Sequence, residues 1–264
     1  KGEDCSMLID DWKYLFGFGA EWLFTACFTY YIVFCLNQPS TLVSELNSLS
    51  SILQLISTAI FIGIVAKKGF AKPFIAALSV VIGAILCFFG IFVFHIAHIT
   101  VLVFGVMVIF GLGTGGVYYI PWTAYTFMAD VDEVVTNRRR EGVYAGAMTM
   151  AGKLMRASVV FILGQVLAAF GFVSGASTQP QSAVNAIAGV LLVGVGGLAI
   201  IGIVFSCRMK LNHKTHKIVI DELDRVHAGG RKEDVSEETR SVIEKLTGIS
   251  YDKCFGNNNI GYKE

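Results

Sequence analysis

Three ionisable residues, Glu21, Lys153 and Arg156, stand inside otherwise apolar stretches of this 264-residue chain. A charge at the centre of a membrane helix costs about 2.5–3.5 kcal/mol on insertion scales, so such groups normally face a partner or a wet cavity. Thr149 precedes Lys153 by one helical turn and falls on the same face. Arg156 follows Lys153 by three residues and can share that face. Two cations against one anion leave at least one carboxylate to be supplied from elsewhere, or a surplus charge to be hydrated. Glu21 can form a structural ion pair with Lys153 or Arg156, or the three can line a polar path for a solute. Snorkelling to the interface is a third possibility.

Aromatic residues gather near the other end of the polar set. Tyr118, Trp122 and Tyr125 follow i, i+4, i+7 spacing, one face of a helix, with Pro121 among them expected to loosen it. Trp122 and Tyr125 fit an interfacial aromatic belt. Tyr118 lies deeper, where a ring could stack on a sugar. Immediately downstream, "DVDEVVTNRRREG" runs from Asp130 to Gly142 and packs Asp130, Asp132, Glu133, Arg138, Arg139, Arg140 and Glu141 into one segment.

The elements that must hold these groups are membrane spans. Hydrophobic residues make up 54% of the chain and charged residues 16%, against about 25% charged in an ordinary soluble domain. Mean hydropathy is +0.63. No Lys or Arg occurs between Lys13 and Lys67, between Lys72 and Arg138, or between Arg156 and Arg208. Six apolar segments, at roughly 14–36, 46–66, 74–94, 99–126, 142–171 and 184–207, are each long enough to cross a ~30 Å hydrocarbon core. In lipid the backbone must satisfy itself, so helices follow, and the alternating short strands of a barrel are missing. Lys153 lies eleven residues past Gly142, roughly 16 Å along its helix and near the midplane.

The connections alternate in charge. "NQPSTLVSELN", "HIAH" and "FVSGASTQPQSAVN" carry no Lys or Arg, whereas "KKGFAKP", the Asp130–Gly142 segment and the tail from Arg208 are basic. The positive-inside rule then places the basic loops and both termini in the cytoplasm, in a plasma (inner) membrane. Residues 1–13 read as a cytoplasmic linker, 14–207 as the transmembrane domain and 208–264 as a cytoplasmic tail. In that tail "KTHKIVIDELDRVH" predicts an amphipathic helix with Ile218, Leu223 and Val226 near one face. "DVSEETRSVIEKLTG" predicts a second helix, capped by Asp234 and Glu237 and striped by Val242, Ile243 and Leu246. The polar start without an initiator Met suggests a piece of a longer chain, with no cleavable leader in view.

Several chemistries are disfavoured. "GLGTGG" at 111–116 satisfies the dinucleotide fingerprint, but it lies within an apolar run instead of between a strand and a helix. Its glycines suit close helix packing or bending, as do Gly142, Gly146 and "GVGG" at 194–197. The six cysteines (Cys5, Cys27, Cys35, Cys87, Cys207 and Cys254) lack paired spacing and read as small buried hydrophobes. His95 and His98 read as an interfacial pair at an external turn. No hydrolase or metal-ligand motif is evident, so an enzyme is not expected and no cofactor is called for. A net charge of +1 gives no reason to expect nucleic acid as a partner.

"PWTAYTFMADVDEVVTNRRREGVYAGAMTMAGKL", Pro121 to Leu154, resembles the junction of the tenth and eleventh helices in glycoside–pentoside–hexuronide:cation symporters, the melibiose permease-like family. Asp130, Asp132, Glu133, Thr136, Arg139, Arg140, Glu141 and Gly142 match its pattern, and Phe127 departs from it where the family usually has Asp. "KKGFAKP" resembles the basic loop between its eighth and ninth helices. The resemblance implies a major-facilitator fold of twelve helices, of which this all-α chain would be the carboxyl-terminal six-helix half. It also implies that Lys153, Thr149 and Tyr118, with Trp122 beside them, border the sugar site. Glu21 and Arg156 would be intramembrane charge partners. The coupling cation, Na⁺ or H⁺, would bind acids of the amino-terminal half. Asp130, Asp132, Glu133, Arg139, Arg140 and Glu141 would form cytoplasmic ion pairs that hold the halves together when the site opens outward.

The function so implied is cation-coupled symport of a sugar or glycoside by alternating access. Its partners would be the small polar solute, the lipid bilayer and the amino-terminal half. Alternatives are transport of another solute such as a lysolipid, or a non-transporting sensor or scaffold on the same fold.

Overall fold

The computed structural model describes residues 6–94, 99–207 and 212–256, with side chains from Leu15 onward and His213 apart. His95, His98, Cys5 and Arg208 lie outside the described residues. Every regular element among the described residues is helical. Six spans are long and apolar enough to cross a membrane, which makes this an integral membrane protein.

Helix α1 (Ser6–Tyr30) starts ahead of its apolar edge and ends in a π-helical turn, Tyr31–Cys35. There Leu36 N–H donates to Tyr31 O at 3.1 Å, and Asn37 takes a left-handed φ of 51°. Helix α2 (Ser40–Lys68) begins after Pro39 and stops at Gly69, whose φ of 74° suits glycine. Helix α3 spans Ala71–Phe94, α4 Ile99–Thr136 and α5 Glu141–Ala169. The sixth span comprises α6 (Gln181–Gly189) and α7 (Gly196–Ser206), joined by the π-helical turn Val190–Val195.

Helix α4 corrects two expectations. It runs on through Asp130, Asp132 and Glu133 to Thr136, so these acids are helical and not part of a loop. The connection to α5 is only residues 137–140. Pro121 is buried within the continuous helix without breaking it, because it removes a single donor and neighbouring helices support the turn.

Neighbour relations follow the order α2–α4–α3–α7–α1–α5, with α1 also touching α4. An aromatic core ties the centre: Phe24 stacks on Phe110 at 3.8 Å between centroids, Phe28 meets Phe88 edge-on, and Tyr31 donates to Phe88 O. Lipid tails are as apolar as these rings, so close packing and interhelical hydrogen bonds hold the bundle. The glycine run of α4 shows how. A Cβ at Gly115 would lie 2.7 Å from both Ser57 Cβ and Thr58 N of α2. A Cβ at Gly116 would lie 2.7 Å from Ala77 Cβ of α3. These glycines are packing devices, whereas a Cβ at Gly142 or Gly146 would meet nothing within 4 Å.

The two ends of that order, α2 and α5, are the least enclosed spans. Ile52, Leu55 and Ile56 on α2 and Val143, Met150 and Leu154 on α5 point outward, each more than half exposed.

The tail forms helices α8 (His213–His227) and α9 (Glu237–Thr247) and a final turn to Gly256. The cap of α9 differs from expectation. Asn212 and Thr215 make the box on α8, and Ser236, not Asp234, caps α9 by accepting from Thr239 N–H at 3.1 Å. Val219 and Leu223, rather than Ile218, carry the buried stripe of α8. They join Ile243, Tyr251, Cys254 and Phe255 in a small core that closes on Met128, Val131 and Val134 of α4.

Candidate functional site

Helix α5 reaches α1 through two interlocked contacts. Met155 fills the space beside Gly19, and Trp22 lies over Gly152. These crossing contacts bring Glu21 near the segment of α5 that carries Arg156. Glu21 and Tyr118 of α4 are hydrogen-bonding neighbours, Trp22 approaches the same hydroxyl, and Arg156 lies within electrostatic reach of it. Phe18 adds a tilted ring contact to Tyr118 at 5.9 Å. One carboxylate oxygen of Glu21, Oε2, is buried without a hydrogen-bond partner. Such an orphan is costly inside a bundle and marks a polar site.

Thr149 and Lys153 lie together, as their spacing predicts, on an open groove of about 630 Å³ shared with Ala145, Gly146, Met150 and Leu154. Both are exposed, and among the described residues neither Lys153 nor Arg156 has an ion pair. The ion pair of Glu21 with either cation, one of the alternatives, therefore does not form among the described residues. Tyr118 is half-buried against α1, so Glu21, Tyr118 and Arg156 form one group and Thr149 with Lys153 an adjoining one. Trp122 belongs to neither; it is 48% exposed, while Tyr125 on the predicted shared face is buried and donates to Glu141 O at 3.1 Å. On the opposite face of α5 a second, apolar groove of about 760 Å³ runs against α6 and α7, with Leu23, Ile162 and Gly194 in its walls.

The acids and arginines after Pro121 pair within the chain. Asp132 is buried and takes a two-point bond from Arg140, Nη2 to Oδ1 at 2.6 Å and Nε to Oδ2 at 2.9 Å. Thr136 Oγ1 donates to Asp132 O at 2.9 Å, and Asn137, at φ 53°, turns the chain back. Arg139 pairs with Glu141 at 2.6 Å on the surface. Asp130 and Glu133 turn instead to the tail: His216 Nε2 lies 2.7 Å from Asp130 Oδ2, and His227 Nε2 lies 3.6 Å from Glu133 Oε1. The His216 ring stacks on Phe127 at 3.6 Å with 9° between planes.

Residues 7–213 match the family described as MFS/sugar transport protein. The chain belongs to that family. An uncharacterized symporter of Synechocystis sp. (strain ATCC 27184 / PCC 6803 / Kazusa) is 34% identical over 70 residues, which cover 26% of this chain and 13% of that relative. The match thus covers a small part of the relative's length. The six apolar helices of this MFS/sugar transport protein family member are those of a major-facilitator half.

Trp22, His216 and His227 escaped the sequence reasoning. Trp22 stands next to Glu21 and offers an indole N–H, a signal that was available. The tail histidines gave none, because their partners lie 86 and 94 residues away in sequence. Among the cysteines, Cys27 and Cys254 are buried as expected, but Cys87 and Cys207 are exposed on the bundle surface, where lipid can replace protein contacts.

Proposed function

We propose that this chain is the carboxyl-terminal half of a cation-coupled secondary symporter that moves a sugar or glycoside by alternating access. The observation that carries this reading is the pair of cations without an ion pair among the described residues on the open side of α5, Lys153 in a groove with Thr149 and Arg156 beside the Glu21–Tyr118 pair. A solute hydroxyl can bridge Thr149 and Lys153, and the ammonium donates up to three hydrogen bonds. Burying that ammonium is tolerable only against acceptors, which the solute and carboxylates of the amino-terminal half would supply. The exposed faces of α2 and α5 flank this side and would meet that half. The coupling cation, Na⁺ or H⁺, would bind there too, and the charged end would face the cytoplasm.

The test is uptake of a labelled glycoside by the full-length carrier in proteoliposomes under an imposed Na⁺ or H⁺ gradient. Lys153→Ala is expected to cut uptake by about tenfold or more, the loss of one charge-assisted hydrogen bond. Unaltered uptake by this variant would remove the proposed site. A second reading, an amphipathic solute such as a lysolipid, draws support from the apolar groove beside α6 and α7. It predicts uptake of a lysolipid and none of a glycoside in the same vesicles.

A further inference from the structure

The tail is bound to α4 by more than its apolar stripe. The last carbonyls of a helix lack intrahelical donors. Here Phe255 N–H donates to Val134 O at 2.6 Å and Gly256 N–H to Val135 O at 3.1 Å, so the tail caps α4. At its other end Asn212 packs on Gly69 in the α2–α3 turn. Between these anchors His216 covers Asp130 and Phe127, and His227 reaches Glu133. Arg139 lies within electrostatic reach of both carboxylates, and its guanidinium is held by Glu141. Asp130 is thus held by the tail at hydrogen-bond distance, and Glu133 is approached by it.

We propose that the α8–α9 tail is an autoinhibitory latch: docked, it withholds Asp130 and Glu133 from cations of the facing half and keeps the carrier open at the charged end. The inference rests on the alternating-access reading above. With its ring flat on Phe127 and 2.7 Å from Asp130 Oδ2, His216 occupies the approach to that oxygen until the tail leaves. Phe127 serves the tail as a stacking platform. Release of the tail frees both acids to pair across the halves and close that end.

Two thiols report the two events in the full-length carrier in proteoliposomes. Cys254 is buried in the tail core, and burial pushes its thiol up to about 11 against the pull of Lys232, so it is inert while the tail is docked. Gly146→Cys places a thiol on the open face of α5, read by a membrane-impermeant maleimide applied at the charged end. Alkylation is read peptide by peptide, which separates Cys87 and Cys207. His216→Phe keeps the ring on Phe127 and removes the bond to Asp130; Leu223→Glu breaks the tail core outright. Each is expected to raise Cys254 alkylation and to lower labelling at the Gly146→Cys position by about threefold or more, a population shift toward the closed end. Cys254 that reacts freely while labelling at position 146 holds steady or rises overturns the latch, as does a Cys254 that stays protected in His216→Phe. If a glycoside with a cation gradient leaves labelling at position 146 unchanged in the otherwise unaltered carrier, the transport reading fails and the latch with it. A response there, with none to the tail variants, overturns the latch alone.

Discussion

Glu222 sits at the centre of the tail core, 4% exposed, and gathers two donors. Arg225 reaches it with Nε to Oε2 at 2.9 Å and Nη2 to Oε1 at 2.8 Å, and the Tyr251 hydroxyl donates to Oε1. Burial pushes the Glu222 carboxyl up, but the bonds from Arg225 and Tyr251 outweigh it and hold the group below the usual carboxylate range. The sign of the pH effect follows. A depressed folded-state value stabilises the tail above the unfolded value, and that contribution is lost as pH falls through the folded one. Protection of amides 213–256 from hydrogen exchange, relative to their intrinsic rates, is expected to fall on acidification below about pH 4. Glu222→Gln should lower that protection already at neutral pH, since Arg225 loses its charged partner, and should flatten the acid response. At the same scale Glu21, Lys153 and Arg156 stood out in sequence because a charge in an apolar run is conspicuous. Which of them meet could not be read there: Gly19 against Met155 and Trp22 against Gly152 set the α1–α5 register, and those contacts join Glu21 to Tyr118 and leave Lys153 in its own groove.

The helices were legible from hydropathy because each crossing needs a long run of apolar residues, and their ends were legible where charge and turn residues coincide, as at Gly69. The end of α4 was not. Three acids within four residues look like a loop when solvent is assumed, yet Arg140 bonds Asp132, His216 meets Asp130, His227 approaches Glu133 and the tail's backbone caps the final carbonyls, so the helix continues to Thr136. Glycines illustrate the same limit. The run at 111–116 and the pair at Gly142 and Gly146 are alike in sequence, but the first is wedged against α2 and α3 and the second faces open space. Gly115→Ala should therefore cost about 1–3 kcal/mol through overpacking against Thr58 N. Gly146→Ala should leave stability within about 0.5 kcal/mol or improve it through helix propensity. Thermal unfolding of both variants in one detergent distinguishes them, and equal losses would refute the packing assignment.

For the whole molecule, the outward apolar faces of α2 and α5 flank the side on which Lys153 opens, so one surface carries both greasy and charged groups. Neither lipid nor water suits such a surface alone. If the amino-terminal half proposed above covers those faces, the chain expressed by itself is expected to unfold at a temperature lower by about 5 °C or more than the same chain assembled with that half expressed separately, since binding to the folded state stabilises it by mass action. Equal unfolding temperatures in the same detergent would argue against a partner on those faces. Sequence alone determined the six crossings, the helical class and the clustering of charge at one end, because lipid imposes length, apolarity and backbone self-satisfaction on every span independently of its neighbours. Only the tertiary structure decided that α4 outlasts its apolar run, that Asp130 and Glu133 belong to the tail, and that Glu21 pairs with Tyr118 while Lys153 stands apart. Those outcomes depend on contacts between residues far apart in the chain, which no local pattern of residue types encodes.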